Sequence, residues 1–211
     1  MKQIIKGPEP ASLTQHRQTA HANFGNYLDK ETLRQQLISE QRGICCYCMG
    51  RLRPDGQSMK IEHWRSQGHY PDQQLDYSNL LGACLGNKGQ RPTSQHCDTR
   101  KGEQDLSRNP ANPTHDIESL IRFQGDGTII SDNPLFNAEL NEVLNLNEGR
   151  LRNNRKAVLD AFHRTLCKWG SLQRHTLENL LADWNGDSHN GDLREYCQIV
   201  VYWLRKRLRR I

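Results

Sequence analysis

Apolar side chains are scarce in this 211-residue chain, of which 35% is hydrophobic and 7% aromatic. Mean hydropathy is −0.87. So lean a core makes a metal staple plausible, as in many small modules. No run of about 18 apolar residues occurs, so no membrane-spanning helix is expected. The start, Met1-Lys2-Gln3-Ile4-Ile5-Lys6, lacks the apolar stretch of a secretory leader. The chain is expected in the cytoplasm, where disulfides rarely persist. There is no internal repeat, no low-complexity segment and no G-x-x-x-x-G-K-S/T phosphate loop.

What is present begins with charge and cysteine. The net charge is +5 and the isoelectric point about 8.9, which suits a nucleic-acid partner. The excess gathers at Arg205, Lys206, Arg207, Arg209 and Arg210. That run reads equally well as a solvated helix face. Seven cysteines are present. Cys45, Cys48, Cys84 and Cys97 are candidate metal ligands, while Cys167 and Cys197 sit in helix-like segments and read as core residues.

Along the chain, residues up to Tyr27 read as an extended arm or a partner contact. Asp29 is placed to cap a helix with Leu33, Leu37 and Ile38 on its apolar stripe, ended by Gly43. Ser58 to Trp64 reads as a short strand, and Tyr77 to Cys84 as a compact segment holding Asn79. Leu85 to Gln95 reads as an exposed insertion, and Asp98 to Leu106 as a short helix. Ile117 to Phe123 and Thr128 to Ser131 flank Gly125-Asp126-Gly127, which predicts a hairpin. From Pro134 onward the pattern is helical. Asn147 is expected to cap one helix, Leu172 to Trp184 to form another, and Leu193 to Leu204 to open the last.

Cys45-x-x-Cys48 places two thiolates on one tight turn, a bite that tetrahedral zinc accepts. A redox pair would need a thioredoxin-like βαβ context, which is missing. Cys84 and Cys97 complete a set of four and leave no open position, so the zinc is read as structural. The long gap between Cys84 and Cys97 keeps two alternatives open: His96 in place of Cys97, and Cys46 in place of Cys45.

Ile61-Glu62-His63-Trp64, Asn79 and Asp98 are threaded through those cysteines. Phosphodiester hydrolysis needs a base for water, a cation on the phosphate and stabilisation of the leaving oxygen. His63 suits the base, because its unperturbed pKa lies near neutrality. Glu62 and Asp98 offer hard oxygen ligands for magnesium or manganese. Asn79 is placed to orient His63. Arg100 and Lys101, with Arg65, are candidate phosphate contacts. On a regular strand Glu62 and His63 point to opposite faces, so both reach one site only if the strand ends or twists there. Each residue has an ordinary reading when alone: a surface His-Glu pair, a turn Asn, an N-cap Asp. His69, His96 and His115 are rival bases. The joint occurrence, in this order, is what points to a nuclease.

These residues resemble the HNH endonuclease superfamily with its ββα-metal fold, over roughly Gly43 to Leu106. The resemblance implies His63 as general base, Glu62 and Asp98 as ligands of the catalytic cation, and Asn79 as support for His63. The superfamily often has His or Asn where Asp98 stands, and the final cysteine pair is split here by an insertion. The wider pattern adds Asn79-Leu80-Leu81, His96-Cys97-Asp98 with Lys101-Gly102, Asn109-Pro110 and a long helical second half. It is similar to the PtuB-like HNH nucleases of retron and Septu anti-phage defence systems. That resemblance implies an effector working with a separate ABC-type ATPase, PtuA, docked on the helical half. A retron reverse transcriptase with its nucleic-acid product would be a further companion.

The expected architecture is α+β: a zinc-stapled ββα-metal (HNH) nuclease core followed by a β-hairpin and a helical C-terminal region. Its expected parts are an N-terminal arm and helix (1–42), the nuclease core (43–112) and a hairpin and helical region for partner docking (113–211). The competing expectation is a zinc-stapled nucleic-acid-binding or adaptor module without catalysis. DNA and RNA are not distinguished by these motifs.

Overall fold

The computed structural model describes residues 1–167 and 173–211, and its architecture is α+β. The N-terminal arm lies on the body of the protein. Met1 and Ile4 are buried, and the Ile4 amide bonds the Pro110 carbonyl. A short helix α1 (Ala11–Arg17) places Leu13 in a small core with Tyr27, Leu75, Tyr77 and Leu80. The next helix, α2 (Lys30–Gln41), starts where Asp29 accepts from the Thr32 amide, as the sequence predicts. Its buried Leu33 and Leu37 join the same small core. Arg42 in a left-handed conformation and then Gly43 end it.

One buried side chain locks the end of α2 to the cysteine turn. Gln41 donates to the carbonyls of Ile44 and Gly82 at 2.8 and 2.7 Å and accepts from the Gly82 amide at 2.6 Å. The Gln41 side chain therefore fixes the Cys45–Cys48 turn against the middle of β2 (Leu80–Cys84). β2 pairs antiparallel with β1 (Met59–His63), and the register sets Glu62 opposite Leu81 and His63 opposite Leu80. A single bridge between Ile44 and Arg51 closes the base of the cysteine turn. The helix expected from Asp98 to Leu106 is shorter: α3 spans Cys97–Lys101 and stops at Gly102, whose φ is +55°.

The second half departs from expectation in several details. Ile117–Leu120 forms a helical turn, α4, rather than strand, and the hairpin is β3 (Ile121–Phe123) with β4 (Ile129–Ser131). Its turn requires Gly127: φ is +86°, and a Cβ there would lie 2.1 Å from the Arg152 carbonyl oxygen. Helix α5 (Pro134–Ala138) runs into a wide turn over Glu139–Val143. Helix α6 (Gly149–Cys167) is capped by the Glu148 carboxylate, which accepts from the amides of Arg150 and Leu151. Asn147, the expected cap, instead bonds both polar groups of the Ile129 backbone. Helix α7 spans Arg174–Asn185; the expected start at Leu172 lies outside the described residues. Helix α8 is Cys197–Leu208. Cys197 is buried as expected, but Cys167 is exposed on the last turn of α6.

One apolar cluster runs from Met1 through the cysteine turn, α5 and α6 to Leu204. The two halves are also joined by polar contacts. The Cys97 amide bonds the Leu144 carbonyl, and the Tyr196 amide bonds the Met49 carbonyl. Glu139 accepts from Ser107 twice, and Arg51 donates to the Leu193 carbonyl at 2.6 Å.

Candidate metal centre and carboxylate pair

Cys45 and Cys48 come from the turn after α2, Cys84 from the end of β2 and Cys97 from the start of α3. Their sulfurs all lie within 4.8 Å of one another. Sγ of Cys48 and Cys84 are 3.7 Å apart. A tetrahedral ion with sulfur at about 2.3 Å requires sulfurs about 3.8 Å apart, so the donor set fits zinc. The Cys84 amide donates to Cys45 Sγ and the Gly50 amide to Cys48 Sγ, as thiolates need. Met49 and Cys97 have φ of +66° and +53°. Non-glycine residues pay steric strain there, and they do so beside the four sulfurs. Cys46 and His96 are not in the set. His96 Nδ1 instead lies 3.2 Å from Cys97 Sγ, a hydrogen-bonding neighbour of the cluster. Burial pushes the Cys46 thiol well above its ordinary range.

The face of β1 turned toward α3 carries Lys60 and Glu62, two residues apart and so on the same side. Glu62 is 2% exposed. It accepts from the Tyr47 hydroxyl at 2.7 Å and pairs with Lys101 Nζ at 3.0 Å. Asp98, on α3, pairs with Lys60 at 2.6 Å. The two carboxyl groups also meet each other. Burial, then Asp98, pushes Glu62 well above the usual carboxylate range. Burial pushes Asp98 up as well, but its bonds to Glu62 and Lys60 outweigh that and hold it low. Their environments thus push the two carboxyl groups in opposite directions, Glu62 up and Asp98 down.

His63 is the last residue of β1 and is 5% exposed. Its ring turns away from Glu62 and packs edge-on against Phe24, with centroids 4.5 Å apart. His63 Nε2 lies 3.0 Å from the Gln74 carbonyl oxygen. A carbonyl only accepts, so Nε2 carries the proton and Nδ1 is the acceptor of the neutral ring. Burial lowers the pKa of His63 below 6.5, which favours that neutral form.

The Asn79 side chain makes no hydrogen bond to the His63 ring. It accepts from the Arg65 amide at 2.7 Å and donates to the carbonyls of Arg65 and Gln73 at 3.0 and 3.1 Å. It straps the chain leaving β1 to the segment that presents the Gln74 carbonyl. Lys101, expected at a phosphate, is 1% exposed, and its ammonium joins Glu62 to the His63 carbonyl oxygen. Arg65 lies between the rings of Trp64 and Tyr70 and pairs with Asp105. Arg100 is half-buried and bonds backbone carbonyls of Pro92 and Glu142. Of the rival histidines, His115 bonds the Asn109 amide and belongs to a turn, while the His69 ring lies beside Tyr70.

Sequence reasoning overlooked Tyr47, Lys60, Phe24 and the Gln74 carbonyl. Lys60 was readable, since strand alternation puts it with Glu62. Phe24 and Gln74 carry no local signal, because only the tertiary fold brings them to His63.

No family model matches the chain. A protein of Escherichia coli named as a candidate HNH endonuclease of retron Ec83 is 29% identical over 72% of this chain and 73% of its own length. The Septu protein PtuB of Bacillus thuringiensis is 29% identical over 53% of this chain and 38% of its own. The resemblance to HNH nucleases of retron and Septu systems therefore holds across the sequence as well as in its motifs. Among the described residues, no helix is long and apolar enough to cross a membrane.

Proposed function

We propose that this protein is a metal-dependent HNH-type endonuclease with a zinc-stapled ββα-metal core, the effector of an anti-phage defence complex. The observation that carries the reading is the meeting of Glu62 and Asp98 between β1 and α3, with His63, the next residue of β1, fixed through Nε2 by the Gln74 carbonyl. Cys45, Cys48, Cys84 and Cys97 would hold structural zinc, which fixes where α3 begins and so where Asp98 stands. Glu62 and Asp98 would hold magnesium or manganese, hard ions that prefer carboxylate oxygen. Such an ion supplies charge neutralisation at the scissile phosphate. His63 Nδ1 takes a proton from the attacking water, and the Gln74 carbonyl keeps that nitrogen free. Asn79 holds both strands of chain that define the ring's position. The effector role is inferred from the likeness to a retron protein and a Septu protein, and the separate ATPase from what the PtuB-like resemblance implies.

The ion pairs favour a second reading. Lys60 and Lys101 already satisfy both carboxylates, as in a non-catalytic zinc module that binds nucleic acid or a partner. One experiment separates the two. Wild type and His63→Ala are incubated with plasmid, genomic DNA and tRNA, with magnesium, manganese or neither, alone and with a neighbouring ATPase. The nuclease reading expects divalent-dependent cleavage that falls about 10²–10⁴-fold in His63→Ala, with zinc content and melting point retained. Nucleic acid bound but never cut would instead establish the module.

A further inference from the structure

The basic run at the end of the chain has no part in the chemistry above, yet it borders a cavity. The space is about 590 Å³ and lies between the N-terminal residues, β3 and α8. Arg122 reaches it from β3, Arg205 and Lys206 from α8, and Arg209 from the residue that follows α8. Arg205 pairs with Glu118 at 3.2 Å, and Arg122 pairs with Asp132. Lys206 and Arg209 have no carboxylate partner among the described residues. Cations in the last turn of a helix are ordinary, because they oppose its dipole. That does not account for an arginine from a separate strand facing the same space.

It does not account for Gln198 either. This side chain lines the cavity, is 4% exposed, and its Nε2 has no hydrogen-bond partner. Buried amides are nearly always paired, and this one is an unpaired donor enclosed in the cavity wall. Tyr202 lines the same space, its ring held edge-on against Phe123 with centroids 6.0 Å apart. The volume lies within the range of small-molecule sites.

We propose that this cavity binds a nucleoside phosphate, its phosphate between Lys206 and Arg209 and its base beside Tyr202 and the Gln198 amide. Unpaired cations hold the phosphate by charge-assisted hydrogen bonds. The aromatic face and a free amide suit a base, which offers both a stacking surface and a polar edge. The nucleotide is either free or the terminal unit of a nucleic-acid strand. The site is remote in sequence from Glu62, His63 and Asp98, and its occupancy is read without any cleavage.

Zinc-loaded full-length protein is titrated calorimetrically with adenosine 5′-monophosphate, inorganic phosphate, and a five-residue DNA strand with or without a 5′-phosphate. No magnesium or manganese is present. Wild type binds the mononucleotide, and the Lys206→Ala/Arg209→Ala variant binds it at least about ten-fold more weakly. Gln198→Leu also weakens binding while its unfolding midpoint is kept or raised, because an unpartnered amide gives way to an apolar group of similar size. The mononucleotide binding alone identifies free nucleotide; a gain specific to the 5′-phosphorylated strand identifies a strand end. No heat from any nucleotide probe at millimolar concentration overturns the proposal. So does equal binding by the double variant. Inorganic phosphate binding as tightly as the mononucleotide would overturn the base contact.

Discussion

Lys101→Met tests whether the buried ion pair holds the carboxylate face together. The substitution keeps the length of the side chain and removes only the ammonium. Lys101 and Glu62 are 1% and 2% exposed, so solvent cannot replace the lost partner. Removing one member of a buried pair costs about 3–5 kcal/mol. The His63 carbonyl oxygen loses its Lys101 donor as well. For a chain of this size each kcal/mol moves the melting point by about 2–4 °C, so a fall of roughly 6–20 °C is expected. The Tyr47 hydroxyl still donates to Glu62, which favours the lower part of that range. The cost also depends on pH. Burial raises Glu62 above its ordinary value of 4.5. A carboxyl raised in the fold contributes its stability below the unfolded value and loses it as pH rises through the folded one. The deficit of Lys101→Met is therefore smallest in acid, where Glu62 is neutral, and largest in alkali. Urea titrations at several pH values, with the slope checked for constancy, give the numbers. Adding Glu62→Gln should recover much of the loss. A single variant within about 1 kcal/mol of wild type at pH 8 would refute the reasoning, as would a deficit that grows in acid.

Other predictions concern the metal, the base and the thiols. Cys48→Ser should lose zinc and fold together, since structural zinc in finger peptides is worth about 10–16 kcal/mol; Cys46→Ser should keep full zinc by elemental analysis. Cleavage should decline on the acid side with a midpoint below 6.5, because burial lowers His63 and only its neutral ring accepts a proton. A rate that keeps rising as pH falls through that range would assign the proton transfer elsewhere. In the zinc-loaded protein Cys167 should react rapidly with a maleimide while Cys46 and Cys197 stay protected, as their burial requires; mass spectrometry of the labelled peptides reads this directly.

Legibility in the sequence followed the range of the forces involved. The cap at Asp29, the stop at Gly43 and the Gly127 turn depend on a few adjacent residues, and each was readable. The four cysteines were readable because tetrahedral zinc limits which residues can meet. Contacts made across the chain were not. Asn79 looked like a partner of His63, but its three side-chain bonds go to the backbone of Arg65 and Gln73. Lys101 looked like a phosphate contact because a lysine one turn into a helix is usually exposed; here the strand beneath α3 supplies Glu62 and closes over it. Cys167 fits an apolar stripe by spacing, yet it is exposed on the last turn of α6.

The cysteine turn and its brace lie far apart in time as well as in sequence. Met49 is held by the Tyr196 amide, and Arg51 by Leu193, Asp192 and Glu195. A ribosome making about 5–20 residues per second reaches that brace roughly 7–30 s after Cys48 has been joined. The thiolates are thus synthesised early and given their final surroundings late. Until that brace is made, a nascent chain carries the parts of the site without the packing that sets their positions. For a protein proposed to cut nucleic acid, competence arrives only once residues 192–196 have been made.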